Sequence, residues 1–311
     1  MPPCMGIRKV TTVNATPSDE SVPAQLAALP GVSEAIDRAR EACTALRWHQ
    51  ALRRRIPEAA AESRVRGARA SALLEGADVP VDRVRELVLG LGRTDADDPL
   101  EQTVQACVQA TSESEHVAPI LVRAPNQALA RLHVAAGATM LPAEQVGRPR
   151  GPGEDSRELV EIGPAVPPQE LPRRLAELGR LVALSDRSPA LVVAAIVHAE
   201  LAVMRPFVRG NAVVARAFER ALLKQAGVDP TGVAVPEVGH HREGATGYAG
   251  ALQAYAGGRR KASRSGCSTA PRPSRREPQR GCASPTRSSP DVCAEPARRC
   301  RAAADCPPVR G

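Results

Sequence analysis

The sequence predicts an all-α protein, and two observations lead to that prediction. Aromatic residues make up only 2% of the 311 residues, whereas hydrophobic residues make up 43%. Ala, Leu, Arg and Glu, which are abundant here, lose little side-chain freedom in a helix, so this composition favours helices over sheets. In addition, apolar residues recur at spacings of three and four, as expected for helices with one buried face. We therefore expect one helical domain over residues 30–256, between a flexible arm (1–29) and a disordered tail (257–311).

The elements follow from the positions of the helix breakers. Residues 1–29 are polar and contain prolines, which predicts the loose arm. From Gly31 the helical spacing begins, and Pro57 marks the first boundary. Gly76 and Gly227 each stand where a helix should end. The predicted helices are about 57–74, 81–89, 98–111, 125–137, 169–184, 188–204, 210–227 and 243–256, after a first helix between Gly31 and Pro57.

The stretch between residues 140 and 170 breaks the helical pattern. It contains six prolines and four glycines, and a short alternating run extends from Glu158 to Ile162. This pattern predicts a small β-hairpin, which we call the flap and define as residues 148–167.

The positive charge of the chain belongs to its last part. Residues 259–311 carry 13 Lys or Arg and 4 Asp or Glu, so the preceding part carries 29 and 30 and is almost neutral. The tail also lacks helical periodicity and is rich in Pro and Ser, which indicates disorder. Two interpretations of the tail remain open at this point: a genuine disordered segment, or coding sequence read out of frame. It has no aromatic residue on which bases could stack, so a nucleic-acid partner is not expected.

Cysteines and apolar runs suggest where the protein works. The tail cysteines have spacings that match neither zinc-binding motifs nor a disulfide framework, and the three cysteines before residue 257 are scattered. No apolar run reaches the roughly 20 residues that span a bilayer, and the N-terminus lacks the apolar segment of a signal peptide. We expect a cytoplasmic protein with no membrane contact.

Two short motifs carry the functional prediction. The junction of the two most apolar helices reads RPFVRGNAVVAR from Arg205 to Arg216, and SALLEG spans Ser71 to Gly76. The first resembles the signature HPFx[DE]GNGRxxR of the Fic/Doc (Fido) family of AMP-transferring proteins, and the second resembles the [ST]xxxE[GN] pattern of that family's inhibitory helix. The resemblance covers roughly residues 30–256 and implies a Fic-like helical bundle. The positions that match the first motif are Pro206, Phe207, Gly210, Asn211 and Arg216.

The departures from the motif put catalysis in doubt. In the family the motif His is the base, the acidic residue holds Mg²⁺, and two arginines hold the nucleotide phosphates. Here Arg205 replaces the His, and a guanidinium cannot accept a proton. Arg209 replaces the acid and would repel Mg²⁺, and Val213 replaces the first arginine, with Ala212 in place of the second Gly. The resemblance therefore implies little or no AMP transfer, possible ATP binding and no metal site.

The expected site combines both motifs. A loop that leads into a helix offers free backbone N–H groups to phosphate. We predict nucleotide or anion binding by Arg205, Arg209, Gly210, Asn211 and Arg216. The resemblance also assigns an inhibitory role to Ser71, Glu75 and Gly76, and predicts a salt bridge between Glu75 and Arg216.

Two functions are kept open. The leading one is a pseudoenzyme that binds a nucleotide, another anion or a protein partner, the latter at the flap, where a target peptide could add a strand. The alternative is an active protein adenylyltransferase or phosphotransferase that uses ATP on a protein hydroxyl and is autoinhibited by Glu75. His198, about two turns before Arg205, is interpreted as a structural histidine, with a replacement base as the alternative. His240 and His241 are predicted to lie in a surface loop.

Overall fold

The structure, a computed structural model, describes residues 21–92, 95, 97–158 and 161–265. These residues form a helical bundle, which confirms the predicted fold class. Short 3₁₀ turns join several of the helices. The α-helices of the described residues are α1 (Ser21–Ala27), α2 (Val32–Trp48), α3 (Ile56–Leu74), α4 (Val81–Val88), α5 (Pro99–Val117), α6 (Pro125–Gly137), α7 (Leu171–Val182), α8 (Ala190–Met204), α9 (Asn211–Gln225), α10 (Pro236–His241) and α11 (Gly244–Ser265).

Four predictions about the helices need correction. Helix α5 continues to Val117, beyond the predicted end at residue 111. Helix α1 lies within the segment that we assigned to the loose arm, and α10 lies where we expected a loop. Helix α11 continues to Ser265, beyond the predicted boundary at residue 256. Residues 1–20 and 266–311 lie outside the described part, so the predictions for the rest of the arm and the tail remain predictions.

Helices α8 and α9 form the centre of the bundle. Helix α8 is apolar apart from His198 and Glu200, and α9 is buried along nearly its whole length between α8, α5 and α6. Phe218 and Leu222 of α9 are completely buried. Burying an apolar side chain of this size contributes about 1.5–3 kcal/mol to folding. The short loop 205–210 that joins the two helices is therefore held by the best-packed part of the protein.

The flap has no strand in its described residues, so the expected β-hairpin is not seen there; Leu159 and Val160 of the alternating run lie outside the described part. The flap instead runs along the α8–α9 loop and donates backbone hydrogen bonds to it. Arg150 N reaches Pro206 O at 2.7 Å, and Arg157 N reaches Val208 O at 2.6 Å. The flap is thus part of the wall around the predicted site.

None of the helices described is both long enough and apolar enough to cross a membrane.

Candidate functional site

The α8–α9 loop has a sharply bent backbone at both ends. Arg205 ends α8 with φ of 48°. Among the described residues, it is the one non-glycine residue whose backbone lies in the left-handed region. Gly210 precedes α9 with φ of 82°, a conformation that costs glycine nothing. The Asn211 side chain closes the loop from inside: Oδ1 accepts from Phe207 N at 2.7 Å, and Nδ2 donates to Phe207 O at 2.9 Å. The predicted transition from loop to helix at residue 210 is present.

The first turn of α9 binds a carboxylate from the flap. Glu158 Oε1 accepts hydrogen bonds from Asn211 N at 2.7 Å and from Asn211 Nδ2 at 2.5 Å. Gly210 offers no side chain as a cap, so Glu158 takes that role from a distant part of the chain. Burial, together with the negative charge of Glu75, raises the pKa of Glu158. The first turn of α9 therefore binds a carboxyl group that the protein itself supplies, and phosphate binding at this position stays a prediction.

Glu75 reaches the site because of the way α3 ends. Ala77 N donates to Ala72 O at 2.9 Å and Gly76 N donates to Leu73 O at 3.1 Å, while Gly76 has φ of 82°. These two bonds around a left-handed glycine form a Schellman motif, which ends the helix sharply. Glu75 is fixed as the C-cap residue that follows α3, and its side chain extends into the core.

Arg216 of α9 receives Glu75 in a buried ion pair. Glu75 Oε1 accepts from Arg216 Nη2 at 2.7 Å, and the two side chains are 9% and 1% exposed. Arg216 Nε also donates to Ser71 Oγ at 2.8 Å. Although burial would lower it, the interactions with Tyr248 and Glu75 keep the pKa of Arg216 above its ordinary value, so the group stays charged. The predicted salt bridge is confirmed, and Ser71 joins it; the inhibitory role of these residues stays a prediction.

The two arginines that replace motif residues lie in different surroundings. Arg205 is buried and one of its Nη atoms donates to the Gly163 carbonyl of the flap, while its own carbonyl accepts from Arg150 Nε at 2.9 Å. Arg209 is partly exposed beside Gly210. Of the predicted anion-binding set, the structure therefore gathers Arg209, Gly210 and Asn211 at the start of α9, and it directs Arg205 to the flap.

A narrow cleft lies between these groups. Glu75, Glu158, Arg209 and Val213 line it, and it encloses about 10 Å³, room for no more than a single water molecule. A nucleotide could enter only if the carboxylates of Glu75 or Glu158 moved away. Val213 adds an apolar wall where the family places an arginine.

His133 of α6 packs against the α8–α9 loop, and we did not predict it as a site residue. Its Nδ1 accepts from Gly147 N at 2.9 Å and its Nε2 is 3.1 Å from Arg209 O, which fixes the proton on Nε2. The ring stacks on Phe207 with centroids 3.8 Å apart. Burial lowers the pKa of His133 to about 4, so it is neutral at pH 7. Only the apolar neighbours of His133 in the helical pattern indicated that it would be buried.

Arg150 and Glu158 were also missed as site residues, since both come from the irregular flap. Arg150 binds three carbonyls, two of which are Arg205 O at 2.9 Å and Val166 O at 2.8 Å. It thereby ties both ends of the flap to the α8–α9 loop.

His198 and His240 lie outside the cleft and share one carboxylate partner. His198 is buried and contacts Glu219 and Tyr248, which agrees with a structural histidine. His240 lies in α10 and contacts the same Glu219, so the predicted position in a surface loop is wrong for it.

Comparison with known proteins agrees with this architecture. Residues 126–223 match the model of the Fic/DOC family. The chain is similar to a Fic family protein from Desulfovibrio desulfuricans G20, at 19% identity over 78% of this chain and 75% of that chain, with a TM-score of 0.52. This likeness shows a shared fold. No curated protein matches the chain.

Two further solved structures are more distant. One is a Fic domain containing signaling protein from Bacteroides thetaiotaomicron VPI-5482, at 15% identity over 72% of this chain and 97% of that chain, with a TM-score of 0.49. The other is Fic-1 (residues 134–508) from C. elegans, at 17% identity over 78% and 83%, with a TM-score of 0.46.

Proposed function

We propose that this chain, whose residues 126–223 match the model of the Fic/DOC family, is a Fic-fold pseudoenzyme that binds a nucleotide or another phosphate-bearing anion without transferring AMP. The observation that carries the proposal is the carboxylate of Glu158 on the first turn of α9. A carboxylate oxygen and a phosphate oxygen accept the same kind of charge-assisted hydrogen bond from backbone N–H groups. A position that already binds one is suited to bind the other.

The cationic groups near α9 support anion binding. Arg209 is partly exposed next to Gly210, and Arg216 lies further along α9. Arg216 is neutralised by Glu75 in the present state, so an anion would gain a second positive partner only after that pair opens. Phosphate would therefore compete with two carboxylates, Glu75 and Glu158.

The groups needed for AMP transfer are missing from their positions in the motif. Arg205 stands where the family has a base, and its guanidinium is engaged with the flap backbone. Arg209 stands where a carboxylate would hold Mg²⁺, so the described residues of the motif do not fit that ion. Loss of a positioned base alone lowers a rate by roughly 10² to 10⁴. We derive no transfer step for this chain.

One observation favours the second candidate, an active but autoinhibited adenylyltransferase or phosphotransferase. The Glu75–Arg216 pair has the arrangement expected for an inhibitory contact, and it is held inside the core. An inhibitory contact has a purpose only if the site has an activity to restrain. This candidate requires a base from outside the motif.

A protein partner at the flap remains part of the proposal. Pro149, Pro152 and Gly153 of the flap are exposed, which leaves its outer side accessible. Three backbone N–H groups of the flap already bind the α8–α9 loop and its neighbours, at Arg150, Arg157 and Val166. A target would therefore have to bind the outer side of the flap, which these backbone groups do not face. The cytoplasmic location stays a prediction from the sequence.

Calorimetric titration with ATP tests the binding function. We expect binding by the Glu75→Gly variant that is stronger than binding by the unaltered protein, because Glu75 no longer holds Arg216. Adding Arg209→Ala to Glu75→Gly should weaken ATP binding roughly tenfold, which corresponds to about 1.4 kcal/mol. Absence of binding heat with both the unaltered protein and Glu75→Gly would defeat the proposal.

Incubation with labelled ATP and Mg²⁺ or Mn²⁺ separates the two candidates. The pseudoenzyme proposal expects no label on the protein itself or on added proteins, with or without the Glu75→Gly change. Clear labelling by Glu75→Gly would replace it with the autoinhibited transferase.

A further inference from the structure

Three potential metal ligands meet between α8, α9 and α10. His198 Nδ1 lies 2.5 Å from Glu219 Oε2, and His240 Nε2 lies 2.6 Å from the same oxygen. The three ligand atoms are all within 4.8 Å of one another. The side chains of His198 and Glu219 are 4% and 10% exposed, whereas that of His240 is 26% exposed. The cluster is thus buried on two sides and accessible from the side of His240.

The helices hold these side chains firmly in place. Helices α8 and α9 pack along their length, which sets His198 beside Glu219. Helix α10 is short, but Glu237 anchors it through a buried pair with Arg220 of α9, with Oε1 2.8 Å from Nε. Ser63 Oγ of α3 also donates to Ala234 O at 2.7 Å, just before α10. These two contacts fix the position of α10, so His240 faces Glu219.

We propose that His198, Glu219 and His240 form a binding site for a borderline divalent ion such as Zn²⁺. Two imidazole nitrogens and one carboxylate oxygen are a ligand set that Zn²⁺ uses when it keeps a further position open. Other ions that favour imidazole, such as Co²⁺ or Ni²⁺, would bind the same set.

The ion replaces the hydrogen bonds that now join each imidazole to Glu219. Zinc ligands at about 2.0–2.1 Å in tetrahedral geometry stand roughly 3.3 Å apart, so the nitrogen–oxygen contacts must widen by less than about 1 Å. His240, the partly exposed ligand, widens its own contact with Glu219 by a small movement, and the contact between His198 and Glu219 widens by a small rotation of either side chain.

Tyr248 provides the outer support that a metal-bound histidine requires. His198 Nε2 lies 2.7 Å from Tyr248 OH. When Nδ1 binds the ion, the ring proton resides on Nε2 and donates to that hydroxyl, which fixes the tautomer and the ring orientation. The same hydroxyl accepts from Arg216 Nη1 at 3.4 Å, so the metal site contacts the Glu75–Arg216 pair through one side chain.

Titration of the full chain with Co²⁺ tests the proposal, and the spectrum of the bound ion distinguishes this site from binding by the eight cysteines of the chain. A histidine and carboxylate site gives visible ligand-field absorption without the near-ultraviolet charge-transfer band of cobalt thiolates. We expect that spectrum at one ion per chain, and we expect added Zn²⁺ to abolish it. Absorption from thiolate-bound cobalt alone, or no visible absorption, would overturn the proposal.

A pair of neighbouring variants assigns the ligands. His240→Phe keeps the ring that packs on His198 and Tyr248 but removes a ligand, and it should weaken Co²⁺ binding roughly 100-fold or more. His241→Phe changes the adjacent residue, which is outside the cluster, and should bind as the unaltered protein does. If His240→Phe has an abnormal melting temperature, Glu219→Gln serves as a second variant, and it should also lose Co²⁺ binding. Equal Co²⁺ binding by His240→Phe and His241→Phe would rule out this site.

Discussion

Glu158 Oε1 lies 2.7 Å from the backbone nitrogen of Asn211, so the flap caps the N-terminus of α9 with a carboxylate. The contact joins the irregular flap to the helix that begins within the main sequence motif. It also closes the cleft in which an anionic ligand would bind. The flap and the ligand therefore compete for the same N–H groups.

Replacing Glu158 with Ala should increase the affinity for inorganic phosphate about tenfold, because the ligand no longer competes with an internal carboxylate. The same change should lower the stability of the phosphate-free protein by about 0.5–2 kcal/mol, since a helix cap is lost. Phosphate titration followed by calorimetry and by thermal unfolding measures both effects.

Glu161→Ala is the matched control, because Glu161 is an exposed flap carboxylate that caps only Gly163 N. It should leave phosphate affinity unchanged. A Glu158→Ala variant with the affinity of the unaltered protein would show that the cap does not obstruct anions.

Replacing Glu75 with Gln should destabilise the fold by about 3–5 kcal/mol, because it leaves the Arg216 guanidinium charged and buried without its counter-charge. Urea unfolding followed by circular dichroism measures the change. Glu62→Gln is a control on the same helix: its partners Arg66 and Arg85 are 62% and 37% exposed, so the loss should stay below about 1 kcal/mol. Similar losses for the two variants would mean that the Glu75–Arg216 pair contributes no more than a surface pair.

Sequence reasoning succeeded where local signals and tertiary packing agree. Helices α3, α6 and α8 begin and end close to their predicted positions, because proline or glycine bounds them and their apolar spacing is regular. The Glu75–Arg216 pair was predicted from the joint occurrence of two motifs, since periodicity alone cannot pair residues so distant in the chain.

The elements that sequence reasoning missed depend on tertiary contacts. Helix α10 contains Gly239 and two histidines, which are poor helix formers, and it is held by the buried Glu237–Arg220 pair. Glu158 lies among prolines and glycines with no local pattern to mark its role. The metal ligands proposed above come from three different helices and are separated by 21 residues in each case, far longer than the spacings of the short metal-binding motifs, so no such motif indicates them.

Replacing Gly67 with Ala should destabilise the protein, against the usual preference of helices for Ala. A Cβ at Gly67 would lie 2.7 Å from Arg220 Nη2 and 2.9 Å from Glu237 Oε2. Both side chains belong to the buried pair that anchors α10, so neither can move without loss. We expect a destabilisation of about 1–3 kcal/mol by thermal or urea unfolding.

Gly250→Ala is the comparison for this change, because Gly250 is an exposed residue of α11 with no atom near its Cβ direction. Ala there should be neutral or stabilising by up to about 1 kcal/mol. A stabilising effect at both positions would show that the Arg220–Glu237 pair tolerates displacement.

The buried His133 predicts a loss of stability on acidification. Its pKa is about 4 in the folded protein, below its ordinary value of 6.5. The unfolded chain therefore binds more protons between these two values, so the stability that His133 contributes is complete above pH 6.5 and declines as the pH falls towards 4. A pKa difference of this size corresponds to about 3 kcal/mol.

The loss has a definite structural cause, since a proton on His133 Nδ1 would face the Gly147 N–H that now donates to it. In the His133→Gln variant the side chain does not titrate, so urea midpoints measured from pH 7 to pH 4 should fall less steeply than in the unaltered protein. His116→Gln, at an exposed histidine with a 68% exposed side chain, should retain the full slope. If His133→Gln and the unaltered protein lose stability in parallel over this range, His133 titrates in the folded protein as it does in the unfolded chain, and the Gly147 hydrogen bond does not hold it neutral.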